Sequence, residues 1–283
     1  MKTDLKKFLD EKYNQYNHPS FIADDPISIP HRFTKKQDIE IAAFFASILA
    51  WGTRKGIINS CNKLLQAMNN EPYDFIMNAD FNKEKYFKPF SGFVHRTFND
   101  MDLWHLFGFL KYHYRHDESL ETAFSKWIQP EDDNTEKVLI GFHNYVFGYS
   151  EEAKEEKHCR KHISTPAKKS ACKRLSMFLR WMVRNDNNSV DFGIWKNIKP
   201  SQLICPLDVH VSRVARRFNL LQRKQDDWLA AIELTKYLKQ LDADDPVKYN
   251  FSCISSIEIF SGSSIASSLL INTISSLFSI SSS

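Results

Sequence analysis

The sequence predicts an all-α protein. Apolar residues recur at three- and four-residue spacing along most of the chain, whereas the strict alternation of a half-buried strand is rare. Apolar residues make up 42% and charged residues 25% of 283 positions, with 8 Gly and 10 Pro. That is the composition of a globular domain with a sizeable core, and it excludes collagen-like, mucin-like and wholly disordered chains.

The elements follow in order. Thr34-Lys35-Lys36-Gln37 has the form of a capping box, in which a hydroxyl and an amide satisfy the free N–H groups of a helix start. Residues 39–51 are apolar almost all round, which predicts a buried helix closed by Gly52. A second helix is expected over 55–68, with Ile57, Ile58, Cys61, Leu64, Leu65 and Met68 as its stripe. Residues 73–127 then hold 15 of the 38 aromatic residues. Aromatic faces can stack unpaired bases, but a lobe of packed Phe side chains is the favoured reading. Residues 131–157 read as a connection with a short helix over 138–147 and a solvated acidic face.

Residues 157–224 are different in kind, with 16 Lys or Arg against three acids, Asp186, Asp191 and Asp208. The rest of the chain is acidic, so the total of only +4 conceals a +13 segment. Such a segment is suited to neutralising the phosphates of a nucleic acid. Within it, residues 170–184 form an amphipathic helix pattern. Ala171, Leu175, Phe178, Leu179 and Met182 line the core face, and Lys173, Arg180 and Arg184 fall on another. Lys173 is thereby placed on the first turn, crowded by Lys169 and Arg174, a setting that favours a nucleophilic amine. In residues 205–218, Pro206 imposes an extended entry and Asp208 takes the N-cap position, where free N–H groups keep a carboxylate ionised. Asp208 also reads simply as a cap.

The remaining features bound the setting. The five cysteines are scattered and never form C-x-x-C, so neither a disulfide framework nor a zinc ribbon is expected. His158 and His162 flank Cys159, but no fourth ligand follows at a metal-binding spacing, and no metal is expected. The N-terminus has no apolar leader and no apolar run reaches membrane-spanning length, so a cytoplasmic, nucleoid-associated protein is expected, with no membrane contact. Residues 252–283 carry 14 Ser and seven Ile with Glu258 as their one charge. A shifted reading frame or an unrelated appended end is the preferred explanation, with an authentic low-complexity tail as the alternative. The expected organisation is one domain over 1–251, with an aromatic-rich helical lobe at about 70–150 and the basic region at about 157–224.

The segment Pro206-Leu207-Asp208-Val209-His210-Val211-Ser212-Arg213-Val214 resembles the signature of the helix-hairpin-helix DNA glycosylases, the superfamily of endonuclease III and the archaeal and eukaryotic 8-oxoguanine glycosylases. Val209 stands where Thr is usual. Cys172-Lys173-Arg174-Leu175 resembles the start of the helix bearing their Schiff-base lysine, and residues 45–54 resemble their first buried helix and its exit loop. Residues 30–251 as a whole resemble an uncharacterised bacterial family of conserved hypothetical proteins.

The resemblance implies a two-lobed helix-hairpin-helix glycosylase-like fold and a DNA N-glycosylase with possible AP-lyase activity. Lys173 and Asp208 would be catalytic, and Lys168, Lys169, Ser170, Arg174, His210 and Arg213 would contact DNA. The partner would be double-stranded DNA with a damaged base or abasic site, bound by a monomer without a cofactor. The departures are equally specific. The hairpin before the lysine helix normally carries glycines, whereas residues 164–170 read Ser-Thr-Pro-Ala-Lys-Lys-Ser. Lys173 and Asp208 are 35 positions apart, wider than in endonuclease III and closer to the archaeal 8-oxoguanine enzymes. The four-cysteine loop is absent, so no iron–sulfur centre is implied. The alternatives are a non-catalytic DNA- or RNA-binding protein of the same fold, and a chain whose altered C-terminus abolishes function.

Overall fold

A computed structural model describes residues 2–250; the expectations for residues 251–283, including Cys253, lie outside the described residues. The fold is all-α. Its α-helices are α1 (Lys2–Tyr16), α2 (Lys36–Ile48), α3 (Arg54–Ala67), α4 (Pro72–Asn78), α5 (Glu84–Phe87) and α6 (Asp100–Tyr114). They continue with α7 (Glu121–Ser125), α8 (Glu136–Val146), α9 (Glu151–Glu155), α10 (Lys173–Val183), α11 (Val209–Arg217) and α12 (Trp228–Lys239). Between α5 and α6 lies a small antiparallel hairpin, β1 (Val94–His95) with β2 (Phe98–Asn99), paired Val94 to Asn99 and His95 to Phe98. Among the described residues no helix is long and apolar enough to cross a membrane.

Helix α2 is the axis of the core. Every residue from Ile39 to Ile48 is buried, as its all-round apolar sequence predicts. The capping box expected at Thr34 is not formed. The helix starts with Lys35 as its cap residue, without a side-chain cap bond, and the Gln37 amide donates instead to the Glu118 carbonyl, 2.9 Å away. A tertiary partner has displaced the local one. Glu40 is fully buried on α2, yet its oxygens accept from Tyr114, Ser119, the Leu120 N–H and the Trp195 indole. Burial still pushes its carboxyl upward, against those bonds.

Helix α10 packs along α2, with the Phe44 and Phe178 rings 5.7 Å apart. Leu175, Phe178, Leu179 and Met182 are fully buried, as the amphipathic pattern requires, while Ala171 precedes the helix. The opposite basic face departs from expectation. Arg180 and Arg184 are only 4% and 2% exposed. Arg180 pairs with Asp191, and Arg184 with Asp186, Asp191, Asp245 and the Tyr13 hydroxyl. These arginines are structural, and they fasten α1 and the segment after α12 to α10.

The aromatic segment is a packed layer. Phe81 lies 4.8 Å from Trp104, Phe75 5.3 Å from Phe90, and Phe90 5.1 Å from Phe107, while Phe124 stacks on Phe142 at 3.8 Å. Phe90, Phe107, Phe124 and Phe142 are fully buried, and each contributes about 1.5–3 kcal/mol. One hydrophobic cluster extends from Leu9 to Tyr249. Cys61, Cys159, Cys172 and Cys205 are buried free thiols.

Candidate functional site

Two chain segments meet at the site. The first is the turn before α10. Thr165 opens it by accepting from the Ala167 N–H, and Pro166 begins a short 3-10 turn. Lys169 and Cys172 then adopt left-handed backbone, with φ of 60° and 51°. Conformations for which glycine is favoured are thus held by residues with side chains, at about 1–2 kcal/mol each. The compensation is tertiary: Ser170 bridges to Asp227, the Lys169 carbonyl accepts from the Trp228 N–H, and the Ser170 hydroxyl accepts from the Cys172 N–H. Lys173 follows as the first residue of α10.

The second segment is the extended run Cys205-Pro206-Leu207, anchored where the Cys205 N–H donates to the Thr235 hydroxyl. It delivers Asp208 as the cap of α11, one carboxylate oxygen accepting from the N–H groups of His210 and Val211, both at 2.9 Å. The other oxygen faces Lys173: Nζ lies 3.2 Å from Asp208 Oδ2, with the two side chains 35% and 23% exposed. Both remain reachable by a ligand. Burial would raise the Asp208 carboxyl, but the Lys173 charge and the two N–H donors outweigh it and hold the group below its ordinary range. The aspartate is therefore both a cap and a fixed anion.

The pair lies on the wall of a cleft of about 830 Å³, a volume within the usual range for small-molecule sites. Phe21, Trp51 and Met177 give it apolar surface, and Arg54, Lys161 and His210 contribute polar groups. Asp25 also lines it, and sequence reasoning missed this residue. Its Oδ1 accepts from the Ile27 N–H, 3.0 Å away, so locally it resembles any aspartate capping a turn before Pro26. Desolvation pushes its carboxyl upward, against the Ile27 N–H and the charges of Arg180, Arg54 and Lys173. The cleft therefore holds two carboxyl groups whose environments push them in opposite directions, one signature of an acid and an anion working together.

The other residues expected at the site are divided. Lys168, Lys169, His210 and Arg213 are exposed, and Ser170 is half-buried. Arg174 has a different task. Its Nη1 and Nη2 donate to the carbonyls of Ile48 and Lys161, and its guanidinium lies 5.7 Å from the Trp51 ring centre. Arg96, at the tip of the β1–β2 hairpin, lies 5.5 Å from the same ring. Trp51 is a half-buried wall of the cleft, held by cations. Part of the basic segment is also neutralised internally, since Arg216 pairs with Asp226 and Arg223 with Asp227.

Residues 25–259 match the model of a family described as protein of unknown function. The match spans every residue of the cleft wall named above except Phe21. No curated protein and no solved structure matches the chain.

Proposed function

This chain belongs to the DUF2400 family, and we propose that its cleft acts on double-stranded DNA as an N-glycosylase with AP-lyase activity, on a two-lobed helix-hairpin-helix glycosylase-like fold. The observation that carries the reading is the contact of Lys173 Nζ with Asp208 Oδ2 at 3.2 Å, partly open to a cleft. The turn at 165–172, left-handed without glycine, supports the same reading, as does its position directly before Lys173.

In this mechanism a damaged nucleotide swings out of the duplex into the cleft, where Trp51 and Phe21 offer apolar faces to the base. The bond from C1′ to the base breaks, and its electron pair leaves with the base, which takes the proton of Asp25. Asp208, fixed as an anion, stabilises the positive charge developing on the sugar. Lys173, having released a proton to solvent, forms a bond to C1′; the C1′–O4′ bond then breaks, O4′ takes a second proton from the nitrogen, and a protonated imine remains. Removal of a C2′ proton then expels the 3′ phosphate and cuts the strand. Lys168, Lys169 and Arg213 hold the flanking phosphates, a role that needs only exposure and charge.

The test is borohydride trapping on oligonucleotides carrying 8-oxoguanine or an abasic site. A covalent adduct that disappears in Lys173→Ala supports the assignment. Absence of an adduct with intact chain, or an adduct that survives that substitution, defeats lyase chemistry; DNA binding retained without release of any base would then identify a non-catalytic binding protein.

A further inference from the structure

We propose that Asp102, His158 and His162 form a binding site for one divalent transition-metal ion, of the kind zinc or cobalt occupies, separate from the cleft chemistry. Two histidines four positions apart are a weak sequence signal. The fold supplies a third ligand from the first turn of α6: Asp102 Oδ1 lies 2.8 Å from His158 Nδ1, and its Oδ2 lies 3.4 Å from His162 Nε2. All three donor atoms fall within 4.8 Å of one another. Donors bound to one tetrahedral zinc at about 2.0–2.2 Å stand roughly 3.3–3.6 Å apart, so occupation needs a movement on the order of an ångström, which the half-exposed His158 side chain can make. The Thr97 carbonyl, 3.2 Å from His162 Nε2, is placed to provide a fourth oxygen, with water as the alternative.

The chemistry of the donors fits such an ion. Asp102 is 1% exposed, and its two oxygens face His158 and His162 and accept from the Asn99 N–H. A buried anion between two imidazoles is the donor set that borderline divalent metals prefer. Its position is already fixed, because Oδ2 also accepts from the Asn99 N–H at 2.8 Å in the capping box of α6. His158 is 48% exposed and gives the ion a route from solvent. Lys161 Nζ lies 2.7 Å from His158 Nε2, and being exposed it can swing away when the imidazole takes the tautomer that coordinates through Nδ1.

The bound ion would tie the start of α6 and the β1–β2 hairpin to the 158–162 turn. The His162 ring lies 4.9 Å from Phe98 and 6.3 Å from Trp51, so this clip would stand behind the cleft wall. Tag-free full chain, stripped with chelator, should bind one equivalent of Zn²⁺ in calorimetry and melt at higher temperature when saturated. Co²⁺ should give the visible absorption of a low-symmetry N/O site. His158→Ala, at an exposed position that the fold tolerates, should weaken Zn²⁺ binding at least about 10–100-fold, and Asp102→Asn should do the same. His116→Ala, at an exposed histidine remote in sequence from the triad, should leave it unchanged. No stoichiometric binding at micromolar Zn²⁺, or binding that survives both His158→Ala and Asp102→Asn, would overturn the proposal. Neither readout involves DNA, so the outcome is independent of the glycosylase reading.

Discussion

Lys173 and Asp208, 35 positions apart in the chain, meet at 3.2 Å because a left-handed turn places the first at the start of α10 and a proline-led extended run places the second at the cap of α11. Each half of the pair is set by local structure, and their meeting is set by the packing of two helices.

Asp208 has two tasks that substitution can separate. Asparagine retains an oxygen for the His210 and Val211 N–H groups but removes the charge. Asp208→Asn should therefore keep the cap and lose only the stability that the charge contributes at neutral pH, while losing about 10²–10³-fold in base excision. Asp208→Ala should lose the cap as well, at about 1 kcal/mol in urea denaturation. Equal excision by wild type and Asp208→Asn would remove the anion from the mechanism.

Asp25 carries the expected pH signature. Its carboxyl is raised by desolvation, so the folded state favours the protonated form. That contribution is fully present below the ordinary aspartate range and is lost as pH rises through the raised folded value. Asp25→Asn keeps the bond from the Ile27 N–H and never ionises. It should melt at higher temperature than wild type near pH 8, with the gain vanishing below about pH 4. A gain that does not vary with pH would show that the effect is not one of charge.

Asp208 has the opposite sign. Its carboxyl is lowered on balance despite burial, so its stabilising contribution is present above the ordinary aspartate range and is lost as pH falls through the depressed folded value. In Lys173→Gln the main opposing charge is gone. Carbon-detected NMR titration of the Asp208 carboxyl should find its midpoint moved upward in that variant; an unmoved midpoint would contradict the electrostatic coupling.

The buried arginines should be costly to disturb. Arg184 is 2% exposed and faces Asp186, Asp191, Asp245 and Tyr13. Arg184→Met leaves buried carboxylates without their cation and should destabilise the chain by about 3–5 kcal/mol in chemical denaturation. A loss below 1 kcal/mol would mean that those acids find other partners.

Lys169 offers a test of the turn itself. Lys169→Gly relieves a left-handed residue, so stability should hold or rise by about 0.5–1 kcal/mol. Removal of the exposed charge should at the same time lower DNA affinity and reduce the steepness of its salt dependence by about one counterion. Unchanged binding at all salt concentrations would take Lys169 out of the interface.

The sequence by itself determined the helices and one end of the chemistry. The period of apolar residues placed α2, α3, α8, α10 and α11 to within a few residues, and Pro206 with Asp208 marked the start of α11, because periodicity and capping are local properties of the chain. Only the tertiary structure decided which charges were free. Arg180 and Arg184 looked like part of a binding face, yet they lie in the core beside acids near and far in sequence, and Arg174 is held by the carbonyls of Ile48 and Lys161. Asp25 and Asp102 carried no signal, since an aspartate at a turn or in a first helical turn is ordinary; their distant partners lie roughly 30–155 positions away, and desolvation and Coulomb energy depend on distance in space, which residue order does not reveal.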